Sequence, residues 1–498
     1  MSSKNFALSI GIVLSLLTTS ASAQNSPVSI PSGTDPLNIV FILSDDHRYD
    51  VLSFLGHPWA ETPAMDALAR DGVHFKNAMV TTSLCSPSRA SILTGQYMHR
   101  HGVIDNNVIT GPETIFFPQY LQKAGYQTGF FGKWHMGDHS DAPRPGFDRW
   151  VSFRGQGYYY PPSAPNKWQL NVDGRGIPQK GYITDELTDY AIDWLDQINE
   201  NGQPFFLYLS HKGIHGMYEP ANRHAGRYSE KSLPVPETMA NTVENYTDKP
   251  MWVKNQRNSW HGVDFAYHRE TDIAEHYRLY CEALLSVDDS LARIRQWLED
   301  HGLADNTLVM YMGDNGFQWG EHGLIDKRTA YEASIRVPLL GVCPKLWPPG
   351  AQVEQIVANI DIGPTILAAA GLETPPQMDG QSFLQLPIGL TDESQWRQHL
   401  LYEYYWEYNF PQTPTMYALR TQRYKFIQYH GIWDIDELYD LENDPQEKKN
   451  LIHSPQHQEL IKSMRGNLHN ILADHEATCI QFSEKRGMGM NLRRKEAD

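Results

Sequence analysis

The segment from 85 to 95 concentrates reactive and charged side chains in one short run, CSPSRASILTG. Ser86, Pro87 and Ser88 predict the start of a helix, because proline fits the first helical turn. The N-terminus of a helix favours anions, and Arg89 can neutralise and orient a polar head group there. The segment therefore indicates chemistry on an anionic group, and the alternative is that Cys85 is a buried structural cysteine.

Two pairs of oxygen-bearing side chains follow short apolar runs that are typical of buried strands. Asp45 and Asp46 come just after the run 38–43, and Asp314 and Asn315 come just after the run 307–312. Carboxylate and amide oxygens are hard ligands that suit calcium or magnesium. The alternative for each pair is a solvated turn, where aspartate is common.

Basic residues and histidines also stand near the ends of apolar runs. Lys133 and His135 close the segment 129–135, and His211 and His215 follow a third strand-like run, 204–210. Lys327 lies in the segment 323–329. In an open parallel α/β sheet, ligand sites collect at the carboxyl edge of the strands, so residues distant in sequence can meet there. The alternative for each is an ordinary surface lysine or a structural histidine.

These segments together resemble the formylglycine-dependent type I sulfatases of the alkaline phosphatase superfamily. The match consists of C-x-P-S-R at 85–89 with T-G at 94–95, G-K-W-H at 132–135, and the acidic and basic segments in family order. The resemblance implies that a maturing enzyme oxidises Cys85 to formylglycine. One oxygen of the hydrated aldehyde would attack the sulfur of a sulfate ester, and the other would expel sulfate as the aldehyde reforms.

The resemblance also implies a metal site with one ion. Its ligands would be Asp45, Asp46, residue 85, Asp314 and Asn315. Large divalent cations accept this many oxygens, and calcium tolerates irregular geometry better than magnesium does. We therefore expect calcium.

The same resemblance assigns roles to the basic residues. Lys133 and Lys327 would contact the sulfate oxygens, and His135 would lie near the nucleophile. Either His211 or His215 would protonate the leaving alcohol or hydrogen-bond the sulfate. The family commonly has proline before the second histidine, whereas Ile214 stands here. The choice stays open at this point, and we favour His215.

Composition limits the function classes. The chain has 498 residues and a formal net charge of -17, with 20% charged and 41% hydrophobic residues. This balance argues against nucleic acid as a partner, and a site for anionic esters must be locally cationic within a negative global field. The chain has four cysteines. If Cys85 is modified, then Cys281, Cys343 and Cys479 allow at most one intramolecular disulfide.

The first 23 residues predict a secretory signal peptide with cleavage after Ala23. Lys4 marks its basic start, and an apolar stretch covers 10–17. No cysteine follows the cleavage point to carry a lipid anchor, and the later sequence shows no run long and apolar enough to span a membrane. We expect a periplasmic or secreted protein.

Strand-like runs alternate with helical patterns at 186–198 and 277–298, which predicts an α/β fold. We expect a large mixed, mostly parallel sheet flanked by helices in a catalytic domain at 24–385. The segments 401–406 and 417–427 resemble strands with a hairpin-like break, which predicts a smaller antiparallel-sheet subdomain with a terminal helix at 386–498.

Two irregular segments, 153–168 and 223–268, carry aromatic residues that could stack on sugar rings. Simple loop packing is the alternative. The sequence thus predicts an exported, calcium-dependent sulfatase acting on a sulfated carbohydrate. The sugar, the sulfate position and the oligomeric state stay open. The alternatives are a phosphonate or phosphate ester hydrolase of the same superfamily and an unmatured, noncatalytic glycan-binding protein.

Overall fold

The apolar runs of the sequence form strands of one large sheet. A computed structural model describes residues 36–137, 140–163, 168–199, 201–431 and 433–481, so the predicted signal peptide lies outside the described residues. The strands are β1 (Asn38–Ser44), β2 (Val73–Met79), β3 (Gln127–Lys133), β4 (Arg149–Phe153), β5 (Gln169–Val172), β6 (Arg175–Pro178), β7 (Phe205–Ser210), β8 (Thr307–Gly313), β9 (Leu339–Val342) and β10 (Ala351–Ala358). Their order is β10-β2-β9-β8-β1-β7-β3-β4-β5-β6.

The centre of this sheet is parallel. Strand β1 pairs in parallel with β7 and β8, and β3 pairs in parallel with β7 and β4. Strand β9 runs antiparallel to β2 and β8, and β4, β5 and β6 form an antiparallel edge. In the register, Ser44 lies opposite Gly313 and Leu43 lies opposite Ser210. These strands therefore end at one edge, and the predicted mixed, mostly parallel sheet is confirmed.

The described residues form helices as well as strands, and some of these helices pack on the faces of this sheet. The helices are α1 (Pro63–Asp71), α2 (Cys85–Thr94), α3 (Met98–His101), α4 (Pro118–Lys123), α5 (Ile183–Asn199), α6 (Val243–Tyr246), α7 (Met251–Gln256), α8 (Ile273–Asp300), α9 (Glu332–Ile335), α10 (Ile362–Ala369) and α11 (Gln458–Asp474). The predicted helices at 186–198 and 277–298 lie within α5 and α8. Alternate residues of β1 enter two different hydrophobic clusters, Phe41 in one and Ile42 in the other. The sheet is thus buried on both faces, which explains its uninterrupted apolar strands.

The C-terminal strands form a separate antiparallel sheet. Its members, in order, are β11 (His399–Tyr404), β12 (Thr415–Thr421), β13 (Tyr424–His430) and β14 (Glu437–Asp440). The segment 417–427, expected to be strand-like, contains parts of both β12 and β13, with a turn at Gln422 and Arg423 between them. Helix α11 follows as the expected terminal helix. Both sheets belong to one compact unit.

The insertion at 223–268 is more ordered than its sequence suggests. It contains α6, α7 and short 3-10 turns, and Arg257 donates to the carboxylate of Asp264 at 2.7 and 2.8 Å. All four cysteines are free thiols, and Cys479 alone among them is exposed. Within the ranges given above, no helix combines the length and apolar character needed to cross a membrane.

Candidate active site

The ends of β1 and β8 bring Asp45 and Asp46 together with Asp314 and Asn315. The Asp46 amide donates to Asp314 Oδ1 at 3.0 Å, and Asn315 Nδ2 donates to Asp46 Oδ1 at 2.6 Å. Ligand atoms of Asp45, Cys85 and Asp314 lie within 4.8 Å of one another. All five predicted metal ligands are therefore buried at a single point, as the shared strand edge predicts.

Cys85 is the first residue of α2 and is completely buried. Its Sγ lies 3.4 Å from Asp45 Oδ1, and Lys327 Nζ donates to Sγ at 2.9 Å. Burial, with the nearby Asp45 carboxylate, raises the pKa of the thiol to about 12. An unmodified Cys85 is therefore protonated at neutral pH and is a poor nucleophile, since the thiolate is the reactive form.

Three cations balance the acidic residues. Lys133 Nζ contacts Asp45 and donates to Gln156 Oε1 at 2.6 Å, and Lys327 Nζ contacts Asp46. Arg89 donates from Nε to Asp314 Oδ2 at 2.9 Å. Its Nη1 also donates to the Lys133 carbonyl at 2.8 Å and to Ser210 Oγ at 2.7 Å. Protein groups thus accept hydrogen bonds from Nε and Nη1 of Arg89, and Nη2 lies 2.8 Å from Asp314 Oδ2, so the guanidinium holds Asp314 in place.

The electrostatics of this site suit a hard cation. Burial would raise the pKa of Asp45, but Lys133, His215, Arg89 and Lys327 hold it well below its usual range. Burial and the Asp45 carboxylate raise the pKa of Asp314 to about 7, and burial also raises the pKa of Asp46. The buried Oδ1 of Asn315 has no hydrogen-bond partner. Crowded carboxylates and a spare amide oxygen match the oxygen ligands that calcium prefers.

The histidines divide between two environments. His211 Nε2 lies 3.0 Å from Ser290 Oγ on α8, so its ring packs away from the acidic cluster. His215 Nε2 lies 3.9 Å from Asp46 Oδ2, and its side chain is 22% exposed. The Nδ1 of His215 lies 2.6 Å from the Gly216 carbonyl, so Nδ1 carries a proton and Nε2 faces the cluster.

His135 contacts the first turn of α2 from another segment of the chain. The Ser86 hydroxyl donates to the His135 backbone carbonyl, and His135 Nδ1 lies 3.4 Å from Ser86 Oγ. The backbone of His135 has φ 54°, a left-handed conformation that is uncommon for residues other than glycine. The structure therefore assembles every predicted site residue except His211 around residue 85.

Three residues at the centre were not predicted from sequence. Gln156 contacts Lys133, and the Tyr159 hydroxyl donates to the His215 carbonyl at 2.9 Å. Both come from the aromatic segment expected to bind sugar. Lys212 Nζ lies 4.5 Å from the centre of the Tyr159 ring. The position of Lys212 between two candidate histidines was its only sequence signal.

A cavity of about 540 Å³ lies elsewhere. Its lining includes Arg48, Tyr277, Trp319, Glu332 and Arg336. Among the described residues, those that line it include none of the predicted catalytic or metal-binding side chains. The site is therefore located by its converging side chains and not by the size of a cavity.

The chain matches two protein families and is similar to known enzymes. Residues 37–372 match the sulfatase family, and residues 320–474 match the C-terminal region of N-sulphoglucosamine sulphohydrolase. The N-acetylglucosamine-6-O-sulfatase of Bacteroides thetaiotaomicron is 32% identical, covering 83% of this chain and 82% of the relative. The human N-acetylglucosamine-6-sulfatase is 32% identical, covering 75% of this chain and 68% of the relative.

A solved structure gives the same result for the fold. It is a protein in complex with its substrate D-glucosamine-2-N,6-O-disulfate, with a TM-score of 0.77 and 30% identity over 90% of this chain and 99% of that one. The family match covers more than half of the chain, and the relatives are named as enzymes that cleave sulfuric esters. The chain therefore belongs to the sulfatase family of the alkaline phosphatase superfamily, and the protein is a sulfuric ester hydrolase.

Proposed function

We propose that the protein hydrolyses a sulfate ester of a glucosamine-containing glycan, and that 6-O-sulfated N-acetylglucosamine is its substrate unit. The observation that carries the substrate class is the similarity to the bacterial N-acetylglucosamine-6-O-sulfatase over more than four fifths of both chains. The reaction is supported by the contact of Lys327 with residue 85. It is also supported by the positions of Lys133 beside Asp45 and of His215 Nε2 3.9 Å from Asp46 Oδ2.

Residue 85 would act as formylglycine, produced from Cys85 by a maturing enzyme. The raised pKa of the unmodified thiol supports a role for the modified residue, because the thiol itself is a poor nucleophile. The hydrated aldehyde would supply the nucleophilic oxygen. A calcium ion held by Asp45, Asp46, residue 85, Asp314 and Asn315 would withdraw charge from the sulfate oxygens when bound.

The chain's own cations would orient the sulfate. Lys133 and Lys327 are buried beside residue 85. In the absence of substrate, Lys133 contacts Asp45 and Lys327 contacts Asp46. Their ammonium groups would also donate to sulfate oxygens, since a lysine ammonium has three donors. Arg89 would act through Asp314, because its guanidinium already bonds to that carboxylate. His135 would hold the start of α2 through Ser86.

His215 would protonate the departing sugar oxygen. As the S–O bond breaks, the proton moves from His215 Nε2 to the alcohol oxygen, which avoids an unstable alkoxide. Burial and the nearby Lys133 hold the pKa of His215 well below its usual value in the free protein. An anionic sulfate beside the ring favours the charged imidazolium, so substrate binding would promote protonation of His215.

The remaining parts of the function concern location and the sugar. We propose export through the signal peptide at 1–23, a catalytic domain at 24–385 and a C-terminal subdomain at 386–498. The separate antiparallel sheet supports the last division. Tyr158 is 49% exposed and packs edge-on against Trp168, which supports a sugar-stacking role for the segment 153–168.

The test is a substrate panel with the matured enzyme. The protein is produced with a formylglycine-generating enzyme, and mass spectrometry of the peptide around residue 85 measures conversion. We expect release of sulfate from N-acetylglucosamine 6-sulfate and slower release from 4-sulfated N-acetylgalactosamine. A matched phosphonate monoester tests the runner-up function. Faster hydrolysis of the phosphonate, or no sulfate release by fully converted enzyme, would contradict the proposal.

A further inference from the structure

Lys212 differs from the other buried lysines in its lack of strong partners. Five lysines among the described residues are buried: Lys133, Lys212, Lys249, Lys327 and Lys425. Lys133, Lys327 and Lys425 each contact a carboxylate, and Lys249 donates to Tyr439 Oη at 2.6 Å. Lys212 Nζ makes one long hydrogen bond, 3.4 Å to the Gly216 carbonyl. Within the described part of the chain, no carboxylate oxygen lies within 4.0 Å of it.

The surroundings of Lys212 connect it to the catalytic centre. Lys212 follows β7 and lies between His211 and His215, and it is only 3% exposed. Its ammonium rests over the ring of Tyr159, whose hydroxyl holds the His215 carbonyl. Burial and the charge of Lys133 lower the pKa of Lys212 to about 8, while Asp45 and Asp46 oppose that shift. The ammonium is therefore close enough for its pKa to depend on both Lys133 and the carboxylates of the proposed metal site.

We propose that Lys212 is a substrate-binding residue that donates to an anionic oxygen of the bound substrate. This inference rests on the proposed function, because it assumes a sulfated substrate at residue 85. Two sources offer the same chemistry. One is the scissile sulfate, and the other is a second acidic group on the sugar, such as an N-sulfate or a carboxylate.

The energetic reason is the cost of burying an ammonium without a carboxylate partner. Such burial disfavours the charged form unless hydrogen bonds or a counter-ion compensate. The Tyr159 ring offsets part of this cost through a cation–π contact and fixes the direction of the side chain. An anionic ligand would supply the missing partner. Because the Lys212 ammonium forms no ion pair with a protein carboxylate, it is already positioned to bind an anionic group of the substrate.

The experiment compares Lys212→Met, Lys212→Arg and the wild type, all fully matured. The substrates are nitrophenyl sulfate, N-acetylglucosamine 6-sulfate and glucosamine 2-N,6-O-disulfate, and inorganic sulfate is titrated as an inhibitor. Lys425→Met is the matched control, because it removes a buried lysine that already contacts Glu332 and Glu447. We expect Lys212→Met to raise KM about 10- to 100-fold, since a hydrogen bond to a charged group is lost. Lys212→Arg should recover part of the affinity, and Lys425→Met should leave KM unchanged.

The pattern of losses identifies the source of the anion. A raised KM for every substrate with weaker inhibition by inorganic sulfate supports contact with the scissile sulfate. A raised KM for the disulfate alone supports contact with the second acidic group. Wild-type KM values and wild-type sulfate inhibition in a folded Lys212→Met variant would overturn the inference. If that variant does not fold, Lys212→Gln, which can keep the bond to Gly216, is judged by the same criteria.

The same measurements distinguish a wrong substrate assignment from a wrong assignment of Lys212. If the wild type cleaves nitrophenyl sulfate but none of the glucosamine sulfates, the proposed substrate is wrong. Inhibition of that reaction by inorganic sulfate still tests Lys212. Glucosamine 2-N,6-O-disulfate is titrated as a second inhibitor, and equal inhibition of the wild type and Lys212→Met by both anions would then overturn the inference separately from the substrate.

Discussion

The catalytic centre and a second charge cluster contain similar side chains in different settings. The centre combines Asp45, Asp46 and Asp314 with Arg89, Lys133 and Lys327. The second, the Lys425 cluster, combines Glu332, Glu437 and Glu447 with Lys249, Arg420 and Lys425. The pKa values of their carboxylates do not distinguish the two clusters, because burial raises the pKa of both Asp314 and Glu447 to about 7.

Position in the fold separates the two clusters. Arg420, Lys425 and Glu437 lie on hydrogen-bonded strands of the C-terminal sheet, and the Tyr331 hydroxyl donates to Glu437 at 3.0 Å. The charged groups of the centre lie mostly at or beyond strand ends, and the Asn315 Oδ1 there has no partner. Buried charge and unpaired polar atoms occur in both clusters, since Arg420 Nε also lacks a hydrogen-bond partner among the described residues. What distinguishes the centre is its position at the ends of the parallel strands.

Removal of the nucleophile should give the largest effect. We expect Cys85→Ala to fold normally and to lose about 10⁴-fold or more in kcat, because residue 85 supplies the attacking oxygen. The measurements are initial rates with matured enzyme and the thermal unfolding midpoint. Turnover at the wild-type rate by this variant would show that the two clusters do not differ in the way proposed.

Paired changes to the two perturbed acids would sharpen the comparison next. Asp314→Asn should lower kcat by about 10³-fold and weaken calcium binding, because a charged ligand of the proposed ion is lost. Glu447→Gln should leave kcat unchanged. Rates are measured before and after exhaustive chelation and on return of calcium. Full activity after chelation would contradict a calcium-dependent centre.

Substitution of His215 and of His211 tests which of them is the general acid. His215→Ala should slow a sugar sulfate by about 100-fold, at the lower end of the usual range for a general acid, and a nitrophenyl sulfate much less. The reason is that nitrophenolate leaves without a proton. Lys327→Ala should slow both substrates alike, because both carry the same sulfate. A selective loss in His211→Ala instead of His215→Ala would reverse the assignment.

The Lys425 cluster should respond in stability and not in rate. Lys425→Met should lower the free energy of unfolding by about 3–5 kcal/mol, because it leaves the buried carboxylates of Glu332 and Glu447 without this partner. Chemical denaturation measures this loss, and kcat and KM should stay at wild-type values. A lower kcat in a folded variant would show that the cluster contributes to catalysis.

The sequence by itself determined the fold class and most of the candidate site. Continuous apolar runs predicted buried parallel strands, and the residues just after them gather at one edge for that reason. Asp45, Asp314 and Lys133 could therefore be placed together although they are far apart in the chain. Cys85 and Lys327 were found because each lies in a short contiguous motif.

The tertiary structure alone decided which side chains of the irregular segments face the centre. The sequence left the choice between His211 and His215 open, although it favoured His215. Backbone hydrogen bonds to Leu43 and Asp45 hold their segment so that His211 contacts Ser290 and His215 approaches Asp46. Gln156, Tyr159 and Lys212 gave no periodic signal, because loop side chains take their direction from the groups they pack against. That direction depends on contacts between distant segments, which local sequence patterns do not encode.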